Sequence, residues 1–290
     1  MQLEEFVAST PQFKKIQAGL QDGGRQLVTG VGGSAKTALL ATIQQNSTTP
    51  QVVVCDSLFH MQSLAADLEN LLPETAVYQF PVEESLAMEI ATSSPDFRLQ
   101  RVQAMNALLN GQSAVIVTAT GGLRRPLVAP KVFSEAQLEI KIGAEIDPQQ
   151  TAQKLMMMGY QRQKMVMAPG DFAVRGSIID IYALNTKYPV RIDLFDTEVD
   201  SLRYFEANSQ RSIENVQAVT VLPATDLIVD QQRLTELQQQ LTTEYETLHE
   251  QASDEQDARQ IENHFRPLLE GLKAGNLENG LLTYADMVYP

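Results

Sequence analysis

Residues 168–211 read APGDFAVRGSIIDIYALNTKYPVRIDLFDTEVDSLRYFEANSQR, and the reading of this stretch decides the fold. Phe172, Val174, Ile178, Ile179 and Ile181 form one apolar run; Val190, Ile192, Leu194 and Phe195 form the next; Val199 and Leu202 follow. Turn-forming residues separate them at Pro169-Gly170-Asp171, Asn185-Thr186-Lys187 and Asp196-Thr197. Short runs of this kind between such punctuation predict a compact β-meander. In Val190-Arg191-Ile192-Asp193-Leu194 apolar residues alternate with charges, which puts Arg191 and Asp193 on the face opposite the apolar one. Arg175, just before Gly176, and Phe195 are expected to converge with Arg191 on one exposed surface. Arginine and aromatic side chains dominate protein–protein hot spots.

Outward from this stretch, the chain has 290 residues, room for two domains or a three-part module, with 43% hydrophobic and 20% charged residues. That is the composition of a soluble globular protein. The one cysteine, Cys55, excludes a disulfide framework and is expected as a buried strand residue in Val52-Val53-Val54-Cys55. The start, MQLEEFVAST, is acidic and lacks the basic-then-apolar pattern of a leader, and no apolar run reaches membrane-spanning length. These features predict a cytoplasmic protein with no membrane partner. A net charge of -14 argues against this chain gripping a nucleic-acid backbone by itself. Residues 225–290 hold 13 acidic and 4 basic residues, so the acidity concentrates in that tail, read as solvated helix faces.

Toward the amino terminus, residues 3–20 predict one amphipathic helix and Gln26–Thr29 a brief strand. Val52–Cys55, Ala76–Phe80 and Ala114–Thr118 predict strands, the first uniformly apolar as in a sheet covered on both faces. Helices are expected at Leu58–Leu72 and Asp96–Leu109, with a connection of undecided form at Pro81–Ser94. The alternation of strand and helix implies a parallel sheet flanked by helices. Beyond Pro126 the pattern changes. Phe133–Ile142 reads as extended and Asp147–Met158 as a helix capped by Asp147, and Val216–Leu222 reads as a strand. Gln231–Gln251 and residues 254–274 predict acidic helices, and Leu281–Tyr289 is apolar and aromatic, an ending that reads as a truncation.

Gly30-Val31-Gly32-Gly33-Ser34-Ala35-Lys36-Thr37 approaches the phosphate-cradling pattern G-x-x-x-x-G-K-[ST]. Gly30, Lys36 and Thr37 fit, but Ala35 replaces the glycine that lets backbone approach phosphate closely. The acid pair that should hold Mg²⁺ at a strand end is also missing: Asp254-Glu255 follows no apolar strand and reads as helix surface. The octapeptide is therefore read as a degenerate loop, with weak anion binding at a helix start left open. His60, His249 and His264 have no metal-ligand spacing, and no nucleophile motif is present, so neither a metal nor a catalytic residue is expected.

On PGDFAVRGSIIDIY and YPVRIDLFDTEVDSLRYFEANSQRS, with Leu222-Pro223-Ala224 downstream, the chain resembles the UvrA-binding region of the bacterial transcription-repair coupling factor family. The excision-repair protein UvrB carries a similar domain. The resemblance implies an α/β fold in three parts. Residues 25–130 would form a degenerate P-loop helicase-like parallel sheet, and 131–224 an inserted α+β UvrA-binding domain. Residues 1–24 plus 225–290 would form a helical piece. It implies Arg175, Arg191 and Phe195 as UvrA-contacting residues, with Asp193 and Glu198 at the rim. It also implies that this segment recruits UvrA without ATPase activity or a cofactor. RNA polymerase, double-stranded DNA, ATP and Mg²⁺ would belong to a full-length motor whose far end masks the UvrA surface until the motor engages. The alternative is a UvrB-like, nucleotide-dependent damaged-DNA-binding ATPase. Ala35, the missing acid pair and the lack of a tyrosine-rich hairpin disfavour it.

Overall fold

The computed structural model describes residues 3–72, 76–82, 95–125, 127–228 and 231–273. The Pro81–Ser94 connection, from residue 83 on, and the Leu281–Tyr289 ending lie outside the described residues. The chain divides into two compact units, residues 1–84 with 103–125 and residues 85–102 with 126–290.

In the first unit the expected single helix over 3–20 is two, α1 (Leu3–Ser9) and α2 (Pro11–Gln21). Proline cannot continue a helix but suits a first turn, and the Thr10 hydroxyl caps α2 by accepting from the Phe13 N–H at 3.2 Å. The expected strand at Gln26–Thr29 does not form; this segment is exposed, with Leu27 91% accessible. Its residues favour β structure locally, but no neighbouring strand pairs with them. α3 (Ser34–Gln45), β1 (Gln51–Cys55), α4 (Leu58–Leu71), β2 (Ala76–Phe80), α5 (Pro95–Leu109) and β3 (Ala114–Ala119) follow. α5 begins in the second unit's residues and ends in the first's.

The three strands pair in parallel in the order β1-β3-β2, as the alternation of strand and helix requires. β3 is central and buried throughout. Met61, Leu64 and Leu68 of α4 cover one face, against Val115 and Val117. β1 departs from its expected double coverage: Val52 and Val54 are 51% and 42% accessible, because β1 is an edge strand with one open face. Cys55 is accordingly only part-buried.

In the second unit the first three residues of the expected extended run over Phe133–Ile142 are helical. Pro130 starts α6 (Pro130–Glu135), which buries Phe133, and only then does β4 (Leu138–Lys141) extend. α7 (Pro148–Met157) is capped as expected, the Asp147 carboxylate accepting from the Gln149 and Gln150 N–H groups at 2.8 Å each. The meander follows as β5 (Gln161–Arg162), β6 (Asp171–Arg175), β7 (Ile178–Ile181), β8 (Val190–Phe195), β9 (Glu198–Phe205) and β10 (Ser212–Asn215). These form one six-stranded sheet in the order β10-β9-β8-β7-β6-β5. β11 (Ala218–Val221) pairs with β4 in a separate two-stranded sheet. α8 (Gln231–Glu250) and α9 (Glu255–Lys273) pack through Leu237, Leu241, Phe265 and Leu272.

Two ties hold this unit. Arg101 of α5 is fully buried. Its Nε and Nη2 donate to the Asp226 carboxylate at 2.9 and 3.1 Å, with side-chain accessibilities of 0% and 1%. At the end of α7, the Tyr160 hydroxyl donates to the Leu222 carbonyl at 2.7 Å, and burial pushes that phenol's pKa up.

Candidate functional site

The meander's apolar face, with Phe172, Ile179, Ile181, Val190, Ile192 and Leu202 all fully buried, is what fixes the register. A one-residue slip would turn these six into water. With register fixed, the other face is determined. One row across the sheet runs Ala173, Asp180, Arg191, Arg203, because Asp180 pairs with both Ala173 and Arg191, and Arg191 with Arg203. The next row runs Arg175, Ile178, Asp193, Ser201. Phe195 lies two residues further along β8, paired with Glu198. Arg175 therefore stands two strands from Asp193, roughly 10 Å away, and Arg191 and Phe195 are separated by about 13 Å along β8.

Two tight loops place Arg175 and Phe195 at the same end of the sheet. Gly176-Ser177 joins β6 to β7 with φ +60 at Gly176, and Asp196-Thr197 joins β8 to β9 with φ +61 at Asp196. Positive φ at these positions is what two-residue hairpin loops demand. A β-bulge in β9, where Asp193 pairs with Ser201 but Leu194 with Val199, leaves Asp200 as the extra residue beside the Phe195 end.

The structure brings the three predicted residues onto one face but exposes them unequally. Phe195 is 77% accessible, the Arg175 side chain 45%, and the Arg191 side chain 14%. The reason is Asp180, an acid that sequence reasoning passed over. It is 1% accessible, and both arginines converge on it. Arg175 donates through Nη2 to Oδ2. Arg191 donates through Nε to Oδ1 at 2.6 Å and through Nη2 to Oδ2 at 2.8 Å. Arg191 Nη2 also donates to Gln210 Oε1 at 2.8 Å. Its guanidinium carbon sits 4.4 Å from the centroid of the buried Phe205 ring, a cation–π contact. The hydrogen bonds that Arg191 donates to Asp180 push its pKa further up. Thus Arg191 does not present its whole fork outward as expected; one edge is turned on Asp180 and Gln210.

Asp193 is likewise engaged, accepting from Arg203 Nη1 at 2.6 Å and from the Ser201 hydroxyl at 2.9 Å. Glu198 is exposed, and its backbone pairs with Glu145. A signal for Asp180 does stand in the sequence: an acid inside Ile178-Ile179-Asp180-Ile181 must find a cation once the strand is buried. Gln210 and Phe205 gave no such local signal, because their roles depend on pairing across strands.

The degenerate phosphate loop is placed differently. Gly30 and Gly33 have φ of +76 and +53, and a Cβ at Gly30, Gly32 or Gly33 would meet nothing within 4 Å. Lys36 is exposed, whereas Thr37 is buried at 4% accessibility. No strand precedes the loop, so the strand–loop–helix context that made the pattern plausible is absent. Lys36 helps line a cavity of 290 Å³ with Leu40, Val53, Cys55, Asp56 and His60. There His60 Nδ1 lies 2.6 Å from Asp56 Oδ1, and that hydrogen bond holds the Asp56 carboxyl below its usual range. Burial pushes the Cys55 thiol up, against the opposing pull of Lys36, so it is not an activated nucleophile. Asp254, expected on a helix surface, stands just before α9 instead and accepts from the Asp257 N–H at 2.8 Å. Among the described residues no cluster of three or more His, Cys, Asp or Glu could hold a metal, and no helix is long and apolar enough to cross a membrane.

Residues 138–227, the segment that builds this sheet, match the family described as the UvrB interaction domain. The chain is 39% identical over 228 residues, 78% of its length, to a protein of Bacillus subtilis (strain 168) named transcription-repair-coupling factor. The protein of the same name in Staphylococcus aureus (strain USA300) is 34% identical over 220 residues, 76% of the chain. In both cases the match covers 19% of the relative, so the chain spans about a fifth of the length of these relatives. The chain thus carries a UvrB interaction domain at residues 138–227, within a stretch related to the transcription-repair-coupling factors across more than three quarters of its length.

Proposed function

We propose that the polar face of the six-stranded sheet is a docking surface for UvrA. The chain would act as the UvrA-recruiting segment of a transcription-repair coupling factor. That protein couples removal of RNA polymerase stalled at DNA lesions to nucleotide excision repair. One observation carries the reading: within the segment matching the UvrB interaction domain, a 77% exposed Phe195 stands on the same sheet face and at the same end as the half-exposed Arg175. An aromatic ring in water on the same face as a guanidinium with donors to spare is the form of a protein–protein anchor. Arg175 would pair with acidic groups of UvrA, and Phe195 would fill an apolar hollow. Arg191 would add a contact through the edge not turned on Asp180, and Asp193 and Glu198 would form the rim.

The segment would work as an interaction module without ATPase activity of its own and without a cofactor. Ala35, the buried Thr37 and the missing strand before the loop support this. The first unit is read as a degenerate helicase-like sheet. Contacts with RNA polymerase and double-stranded DNA, and the use of ATP and Mg²⁺, would belong to the rest of a full-length protein. A pull-down of UvrA with the wild-type chain beside Arg175→Ala tests the proposal. The expected outcome is a complex with wild type, weakened by roughly 1–3 kcal/mol in the variant while the circular dichroism is unchanged. Equal capture by both removes Arg175 from the interface.

A further inference from the structure

The polar face spends an acid where an acid reduces its attraction for acidic partners. Arg175 and Arg191 bring two positive charges, and Asp180, buried between them, cancels one. Arg203 is neutralised in the same way by Asp193. If the surface worked by charge alone, Asp180 would be a liability. Its geometry says what it supplies instead. A carboxylate held on strand β7 at 1% accessibility takes the Nε and Nη2 edge of Arg191 and one donor of Arg175.

A guanidinium carries five N–H donors. For Arg191, Nε and both Nη2 hydrogens are committed to Asp180 and Gln210, which leaves the two on Nη1 for a partner. The group also rests over the Phe205 ring. Gln210 completes the clamp at a conformational cost. It sits at φ +58, a left-handed conformation that non-glycine residues rarely adopt. There its amide is tied at both ends, Nε2 donating to the Ala207 carbonyl at 2.7 Å and Oε1 accepting from Arg191. Unfavourable backbone held by side-chain bonds is a common mark of a functional surface.

We infer that Asp180 and Gln210 are positioning residues of the docking surface: they hold the guanidiniums of Arg175 and Arg191 in one fixed arrangement, so that binding a partner carboxylate does not have to order them. The inference rests on the UvrA-docking reading above. It accounts for the loss of charge, because a side chain immobilised beforehand forfeits less entropy on binding. It also makes a prediction opposite in sign to the charge argument. Asp180→Asn keeps the shape and raises the positive charge of the face by one. If charge governs, it binds UvrA more tightly; if orientation governs, it binds more weakly.

The experiment measures UvrA affinity by calorimetry for the 290-residue chain as wild type, Asp180→Asn, Arg191→Ala and the double variant, with thermal unfolding of each. The expected result is that Asp180→Asn loses about tenfold in affinity, the scale of one charge-assisted hydrogen bond. In the Arg191→Ala background that penalty should shrink several-fold, because Asp180 acts through the arginines. A purely structural Asp180 would give the same penalty in both backgrounds. Gln210→Gly serves if Asp180→Asn does not fold. Glycine accepts φ +58 without strain, so unfolding should be unchanged while affinity falls about threefold. Tighter binding by Asp180→Asn overturns the inference, as does a penalty independent of Arg191. So does wild-type affinity in both Asp180→Asn and Gln210→Gly beside a sound wild-type complex. No complex with the wild-type chain sinks the recruitment reading itself and the inference with it.

Discussion

In the first unit, Lys36 stands exposed beside a loop whose glycines have open space around them, and the hydroxyl of its neighbour Thr37 is carried into the interior. In the second, Arg175 and Arg191 are paired with Asp180 and Arg203 with Asp193, and a glutamine and an aromatic ring support Arg191. Both regions were singled out by short motifs. Only one of them has the surrounding layer of partners that fixes a functional side chain in place. A motif without such support is a pattern left in the sequence; a motif with it is a surface held ready.

The contrast predicts that the second unit depends on buried polar pairing to an extent the loop does not. The largest expected effect is on Arg101. Arg101→Ala leaves the Asp226 carboxylate buried at 1% accessibility, and breaking such a pair from one side costs about 3–5 kcal/mol in stability. Urea unfolding checks this, and a change under 1 kcal/mol would break the comparison. Next comes Phe195→Ala. With its ring 77% exposed, removal should leave unfolding unchanged yet cost roughly 1–3 kcal/mol of UvrA binding in calorimetry. A stability loss with unchanged binding would reverse its role. The smallest effect is at the loop. Lys36→Ala should change stability by less than about 0.5 kcal/mol, and titration of ATP with Mg²⁺ should give no heat with either chain. Micromolar, Mg²⁺-dependent binding would instead restore the nucleotide-dependent reading.

The meander was legible because its signals are local. Alternation in Val190–Leu194 and the punctuation at Gly170 and Asp196 place strands and loops without knowledge of the rest, whereas the single run expected over Phe172–Ile181 is two strands, because the chain turns at Gly176-Ser177. Asp147 as a cap is equally local. Gln26–Thr29 failed because a strand exists only by pairing, and nothing in four residues reports whether a neighbour is there. Phe133 failed because apolar content outweighed Pro130, which starts a helix. At the proposed docking face, residue identity and side followed from period two, but exposure did not. That Arg191 is 14% accessible while Phe195 is 77% depends on an acid one strand away and on a loop after β9. Strand pairing is non-local, and so is everything that rests on it.

The ring at the β8–β9 tip also bears on how the chain behaves in a tube. An uncovered phenyl group is a place where two copies can adhere, and the chain's charge of -14 opposes every such encounter. That protection is electrostatic, so added salt removes it: the Debye length falls to about 3 Å at 1 M. Turbidity rising with sodium chloride, and abolished by trimming that one ring, would be the bench-level trace of that uncovered ring.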